Sequence, residues 1–281
     1  MAESLKQVLV HLDPSVAAAQ RLGLARQLAG QHGAALSALY ATTPVLVGFP
    51  YAPGMGPAMA SLTEVDDEQR QRTRKMFDES LHAPGPGASW SETSEVPAAG
   101  AFAQQAFYAD LLVLGQRNST DVLAAGVPAD FPESVMVASG RPALVVPWVA
   151  CPSVVGETVA IAWKETREAA RAVTAALPIL QRARQVHVIS WEGKDEQASA
   201  VQGAGLDLDG YLRLHGVKPV WHRGGAEPDR LGEMLLSRVF DLGADLLVMG
   251  CYGHSRAREW ILGGTTRSIL ASMTLPVLMV H

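Results

Sequence analysis

Apolar residues recur along this chain with two periods. Continuous apolar, partly β-branched runs at residues 7–12, 34–40, 111–114 and 142–147 have the length of strands buried on both faces. Helical periods lie between them. At 16–30, Leu22, Ala25, Leu28 and Ala29 fall on one face and Gly30 stands near the C-cap. Residues 63–81 and 99–109 predict two further helices, and 88–96 another strand. Asp66-Asp67-Glu68 reads as acidic charge at a helix N-terminus on a solvated face. A strand, a helix and a strand in succession make one βαβ unit, hence parallel strands joined by a right-handed crossover. Residues 44–60 break the pattern: Pro44, Pro50, Pro53 and Pro57 alternate with Gly48, Gly54 and Gly56, the composition of a mobile loop or cover without regular structure.

After residue 153 the pattern starts again. Residues 158–163 match the first strand, and 166–183 match the first helix with Thr166 as N-cap. Strands follow at 185–190 and 218–222, helical segments at 211–216, 230–242 and 267–271, and apolar runs at 246–249 and 276–280. Two stretches echo earlier ones at nearly the same offset. Ala109-Asp110-Leu-Leu-Val-Leu-Gly115 returns as Ala244-Asp245-Leu-Leu-Val-Met-Gly250, and Pro142-Ala-Leu-Val-Val as Pro276-Val-Leu-Met-Val. A tandem duplication, residues 1–150 and 151–281, accounts for the length better than one large domain. The expected fold class is therefore α/β, two tandem doubly wound domains of about five strands each. In such sheets ligands bind at the carboxyl ends of the strands, where strand order reverses. Those ends are Asp13 and Gly115 in the first half, and Lys164 and Gly250 in the second.

Composition narrows the classes. With 281 residues, 48% apolar and 18% charged, the chain has material for a sizeable core. A formal net charge of -5 is a poor footprint for nucleic acid or an anionic membrane. No apolar run is long enough to span a bilayer. Asp13-Pro14 cuts the apolar stretch after Lys6 too early for a signal peptide, and the two cysteines, Cys151 and Cys251, are thin material for a disulfide framework. The expected location is cytoplasmic.

The stretch with the most chemistry runs from Asp245 to Thr266. An apolar strand ends at Met249-Gly250, and Gly253, Gly263 and Gly264 follow, then Thr265 and Thr266 at the start of a helix. A strand, a glycine-punctuated loop and a helix N-terminus form an anion cradle, because unpaired backbone N–H groups there face a phosphate. Gly250-x2-Gly253-x9-Gly263 in this setting, with Ile161-Ala-Trp-Lys-Glu-Thr-Arg-Glu-Ala-Ala before it, resembles the ATP-binding pattern of universal stress proteins. The resemblance covers nearly the whole chain as two copies. It implies five-stranded parallel sheets with helices on both faces, and ATP or a related adenine nucleotide, with Mg²⁺, held by Lys164, Met249, Gly250, Gly253, Gly263, Gly264, Thr265 and Thr266. It further implies pairing of the two halves through their last strands, 144–148 and 277–281, and the option of a homodimer.

The chain departs from that family pattern in both halves. Lys164 stands where the family has an aspartate, and lysine, with three donors and no acceptor, cannot reproduce a carboxylate's contacts. The first half keeps Asp13 but loses the cradle. After Gly115, Asn118 replaces the second glycine, the Gly-Ser/Thr end is missing, Pro128 and Pro132 remove backbone donors, and Asp121 and Asp130 add negative charge. The expectation is nucleotide in the second half alone, in a regulatory protein with slow hydrolysis at most. The competing expectation is a nucleotide-free interaction or ligand-sensing module with both sites degenerate; an enzyme on adenylated substrates is a third class that no residue selects. Arg256 and Arg258 are candidate phosphate contacts or solvated loop cations; Cys251 and His254 lack the further ligands a zinc site needs. His11 is expected to be packed or hydrogen-bonded, and His215 and His222 carry no constellation.

Overall fold

The structure, a computed structural model, describes residues 4–48, 56–149, 154–192, 205–251 and 264–281. The chain divides into two compact units, Ser4–Val149 and Ala150–His281.

In the first unit, β1 (Gln7–Leu12), α1 (Ala18–His32), β2 (Ala35–Ala41), α2 (Gly56–Ser80), β3 (Ser89–Thr93), α3 (Ala98–Ala106), β4 (Leu111–Gly115), α4 (Phe131–Ser139) and β5 (Ala143–Val146) follow one another. The strands run parallel in the order β3-β2-β1-β4-β5. The chain winds outward from β1 in one direction and then from β4 in the other. With right-handed crossovers this places helices on opposite faces of the sheet, so the strands are covered twice. That is why β1 and β4 are almost wholly apolar and buried. Leu22 and Leu28 of α1, Phe77 of α2, Phe102 of α3 and Phe131 of α4 fill the two layers.

The second unit repeats this order with β6 (Thr158–Ala162), α5 (Arg167–Leu180), β7 (Gln185–Glu192), α6 (Leu208–Leu214), β8 (Pro219–Ala226), α7 (Leu231–Asp241), β9 (Leu246–Gly250), α8 (Gly264–Ser272) and β10 (Val277–Val280). Its strands are parallel in the order β10-β9-β6-β7-β8. Thr166 caps α5 as its sequence position predicts, its hydroxyl accepting a bond from Ala169 N at 3.2 Å. Among the described residues no helix is long and apolar enough to cross a membrane.

One stretch reads differently in the structure. Val45–Gly48 forms a 3-10 turn, and residues 56–60, expected to be loop, open α2. Proline in a first helical turn forfeits no intrahelical bond, and Ala58-Met59-Ala60 are strong helix formers. Residues 49–55, the rest of the expected cover, lie outside the described residues. The earlier helix start also moves the acidic cluster away from the N-terminus. Asp66 instead accepts Val45 N at 3.1 Å, and Asp67 pairs with Arg70 at 3.0 Å.

Candidate functional site

In both units the first and fourth strands are neighbours, and the chain reverses direction across the sheet between them. The pairing register is the same. Val10 lies opposite Val113 in the first half, so Leu12 falls beside Gly115 at the strand ends. Ala162 lies opposite Met249 in the second, so Trp163-Lys164 and Gly250-Cys251 leave the sheet side by side. These two places are the crevices where a doubly wound sheet holds its ligand.

The first crevice is filled by the protein itself. Arg21, on the sheet-facing side of α1, donates from Nη2 to Asp13 Oδ2 at 2.6 Å and from Nε to the His11 carbonyl at 2.7 Å. Its guanidinium lies directly on Gly115: a Cβ built there would sit 2.0 Å from Arg21 Nη1. Arg21 and Asp13 side chains are 3% and 5% exposed. Burial pushes the Asp13 carboxyl up, and the Arg21 charge, with His11 and the Ser15 hydrogen bonds, overrides it and holds the group at about 2. His11 is packed and hydrogen-bonded, as its position predicts. Its Nε2 lies 2.8 Å from Ala41 O, its ring stacks on Phe131 at 4.1 Å, and its Nδ1 is 3.5 Å from Asp13 Oδ2. Burial lowers its pKa to about 4, against the pull of Asp13, so the ring is neutral at neutral pH. Asp121, one of the acids of the degenerate loop, accepts Val16 N at 3.0 Å and Leu123 N at 3.0 Å.

The second crevice is built from different parts. Gly250 is required by close approach: a Cβ there would lie 2.6 Å from Ala169 N and 2.7 Å from Glu168 C, so the first turn of α5 rests on its backbone. Glu168 adds a buried carboxylate at this junction, partnered by Arg167 Nε. Lys164 Nζ donates to Glu227 Oε2 at 2.9 Å, and these side chains are 42% and 30% exposed. Glu227 follows β8 directly, so the pair spans the carboxyl ends of β6 and β8, with β7 between them.

Of the residues the sequence assigns to a nucleotide, Lys164, Met249 and Gly250 therefore meet at the reversal of strand order. Met249 is buried within the sheet. Gly264 begins α8 and is exposed, with open space where a Cβ would stand. Thr265 is half-buried, whereas Thr266 turns into the protein and is buried. Gly253 and Gly263, with Arg256, Arg258 and His254, lie outside the described residues.

Three polar features escaped sequence reasoning. Arg21 falls on the apolar stripe of α1, three residues after Ala18 and four before Ala25, a misplaced charge that signals a buried partner. Glu227 sits in no recognisable motif. His222 does join a constellation, contrary to expectation: its Nε2 lies 2.9 Å from His187 Nδ1 on the neighbouring strand. Burial and the facing His222 ring both lower the His187 pKa. Neither sequence position announces this pair; it comes from the β7/β8 register, which sets Ile189 opposite His222. Among the described residues no three His, Cys, Asp or Glu side chains are grouped to hold a metal ion.

Residues 156–281 match the model of the universal stress protein family. The whole chain is similar in fold to a universal stress protein from Archaeoglobus fulgidus DSM 4304, with 15% identity over 98% of this chain and 95% of that one and a TM-score of 0.68. It is similar also to a functionally unknown protein from Pseudomonas aeruginosa PAO1, with 15% identity over 98% and 92% of the two chains and a TM-score of 0.59. A universal stress protein solved in complex with cAMP is 21% identical over 51% of this chain and 98% of its own, with a TM-score of 0.35. None of the curated proteins matches.

Proposed function

We propose that this chain, whose residues 156–281 match the universal stress protein family, is a tandem of two such domains, of which the second binds ATP or a related adenine nucleotide and acts through the bound state rather than through turnover. The observation that carries the reading is the contrast between the crevices. The first is closed by the buried Arg21 guanidinium, while the second carries a solvent-reachable polar pair, Lys164 with Glu227, at the carboxyl ends of β6 and β8, with the exposed N-terminus of α8 in the same unit. A glycine-led helix N-terminus supplies the N–H groups that a phosphate takes, and Lys164 offers donors of its own.

Titration calorimetry with ATP and Mg²⁺ tests this on the wild type, Gly263→Val and Lys164→Asp. The expected result is saturable wild-type binding that Gly263→Val weakens at least tenfold, about 1.4 kcal/mol. A nucleotide-free module is the second reading, and the engagement of Lys164 by Glu227 and the buried Glu168 carboxylate favour it. Absence of wild-type binding, with binding gained in Lys164→Asp, establishes that reading instead.

A further inference from the structure

Lys164 alone offers a ligand only donors, but it does not stand alone. Its ammonium holds Glu227 Oε2 at 2.9 Å, which leaves the second carboxylate oxygen of Glu227 without a hydrogen bond from any described residue. The contact is made across the sheet, between residues 63 apart in sequence. It links the edge strand β8 to Lys164, which leaves β6 next to the reversal of strand order between β6 and β9. Both side chains are open enough to be reached, at 42% and 30% exposure. Together they present donors and an acceptor side by side, which neither residue does separately.

We infer that Glu227 reads the ribose of the nucleotide in the second half, accepting a hydrogen bond from its vicinal hydroxyls while Lys164 positions the carboxylate and donates to the same diol. This rests on the nucleotide reading above and extends it to a residue no motif marks. A vicinal diol both donates and accepts, so it matches a carboxylate and an ammonium held together better than it matches either one. In dinucleotide-binding doubly wound sheets an acidic side chain takes the ribose hydroxyl, the chemistry that Glu227 offers here from the edge strand. The pair tolerates rearrangement by a ligand, because an ion pair this exposed gains little from its own contact.

The experiment is calorimetric titration of the full chain with ATP and with 2′,3′-dideoxy-ATP, on the wild type, Glu227→Gln and Lys164→Met. The wild type is expected to prefer ATP at least tenfold over the dideoxy analogue. Glu227→Gln abolishes that preference by weakening ATP alone, and Lys164→Met reduces it by releasing the carboxylate. Circular dichroism melting of each variant checks that the fold is retained. A wild type that binds both nucleotides equally, or a Glu227→Gln protein that keeps the preference, overturns the role of Glu227 and leaves the nucleotide reading intact. A wild type that binds neither nucleotide overturns both.

Discussion

Each half of this chain pairs an acid with a cation just after its first strand, and the two pairs are built in opposite ways. In the first half the acid leaves β1 and the cation comes from α1, only 8 residues on. In the second the cation leaves β6 and the acid arrives from β8, 63 residues on. The separation in sequence decides the consequence. A partner on the next helix must lie between that helix and the sheet, so Arg21 is drawn into the crevice, onto Gly115, and excludes water. A partner two strands away can only meet at the rim, so Lys164 and Glu227 remain wet. The helix position that would deliver a second arginine is Ala172, the same number of residues after Lys164 and fully buried. One fold thus carries one pair buried over its crevice and one pair left exposed at its strand ends.

The sharpest way to break this contrast is Arg21→Ala. It strands the Asp13 carboxylate and the His11 carbonyl in a buried site, and losing one partner of a buried ion pair costs about 3–5 kcal/mol. Hydrogen exchange followed by mass spectrometry is expected to show this loss in the first unit and little change in the second. Replacing both members together, as Asp13→Asn with Arg21→Met, leaves no orphaned charge and is expected to cost much less than Arg21→Ala. A double variant as damaged as the single one removes the ion pair as the reason for closure.

Acid provides a second separation. The folded pKa of His11, about 4, lies below its unfolded value of 6.5. The unfolded chain therefore binds the proton first, and stability is fully present above pH 6.5 and lost as pH falls toward 4. A shift of this size corresponds to on the order of 3 kcal/mol. Asp13 works in the same direction at lower pH, from its unfolded 3.8 down to about 2. In His11→Gln, urea unfolding of the first unit is expected to lose most of its pH dependence between 6.5 and 4, while the amide keeps a donor for Ala41 O. An unchanged slope assigns the acid sensitivity of the first unit to a group other than His11.

Much of the fold was legible because it is written in periods. The apolar runs at β1, β4, β6 and β9 are buried on both faces and could hardly be anything but parallel strands, and the echo around Gly115 and Gly250 exposed the duplication. The start of α2 was misread because proline and glycine punctuate loops and also open helices. The candidate site was legible only where glycines mark backbone approaches, as at Gly250 against Glu168 and Ala169. Side chains that meet by register or by reach leave no such trace. The His187–His222 contact depends on how β7 and β8 align, and the Lys164–Glu227 contact on two strand ends brought together by the sheet. The unusual lysine was visible at once; the acid that answers it was not.

That acid also gives the smallest expected effect on stability. Coulomb attraction at 2.9 Å looks the equal of the Asp13–Arg21 pair at 2.6 Å, but water screens it from one side, and exposed pairs contribute about 0–1 kcal/mol. Glu227→Gln is therefore expected to shift the unfolding free energy of the second unit by less than about 1 kcal/mol, with added salt removing most of the difference. Paired urea unfolding curves in low and high salt measure it. A loss comparable with that of Arg21→Ala would mean that the exposed pair holds the second unit as firmly as the buried pair holds the first, and the contrast between them would be one of exposure only. A small loss leaves the pair free to exchange its contact for a ligand's, because a contact worth little to the fold is the one a bound hydroxyl can displace.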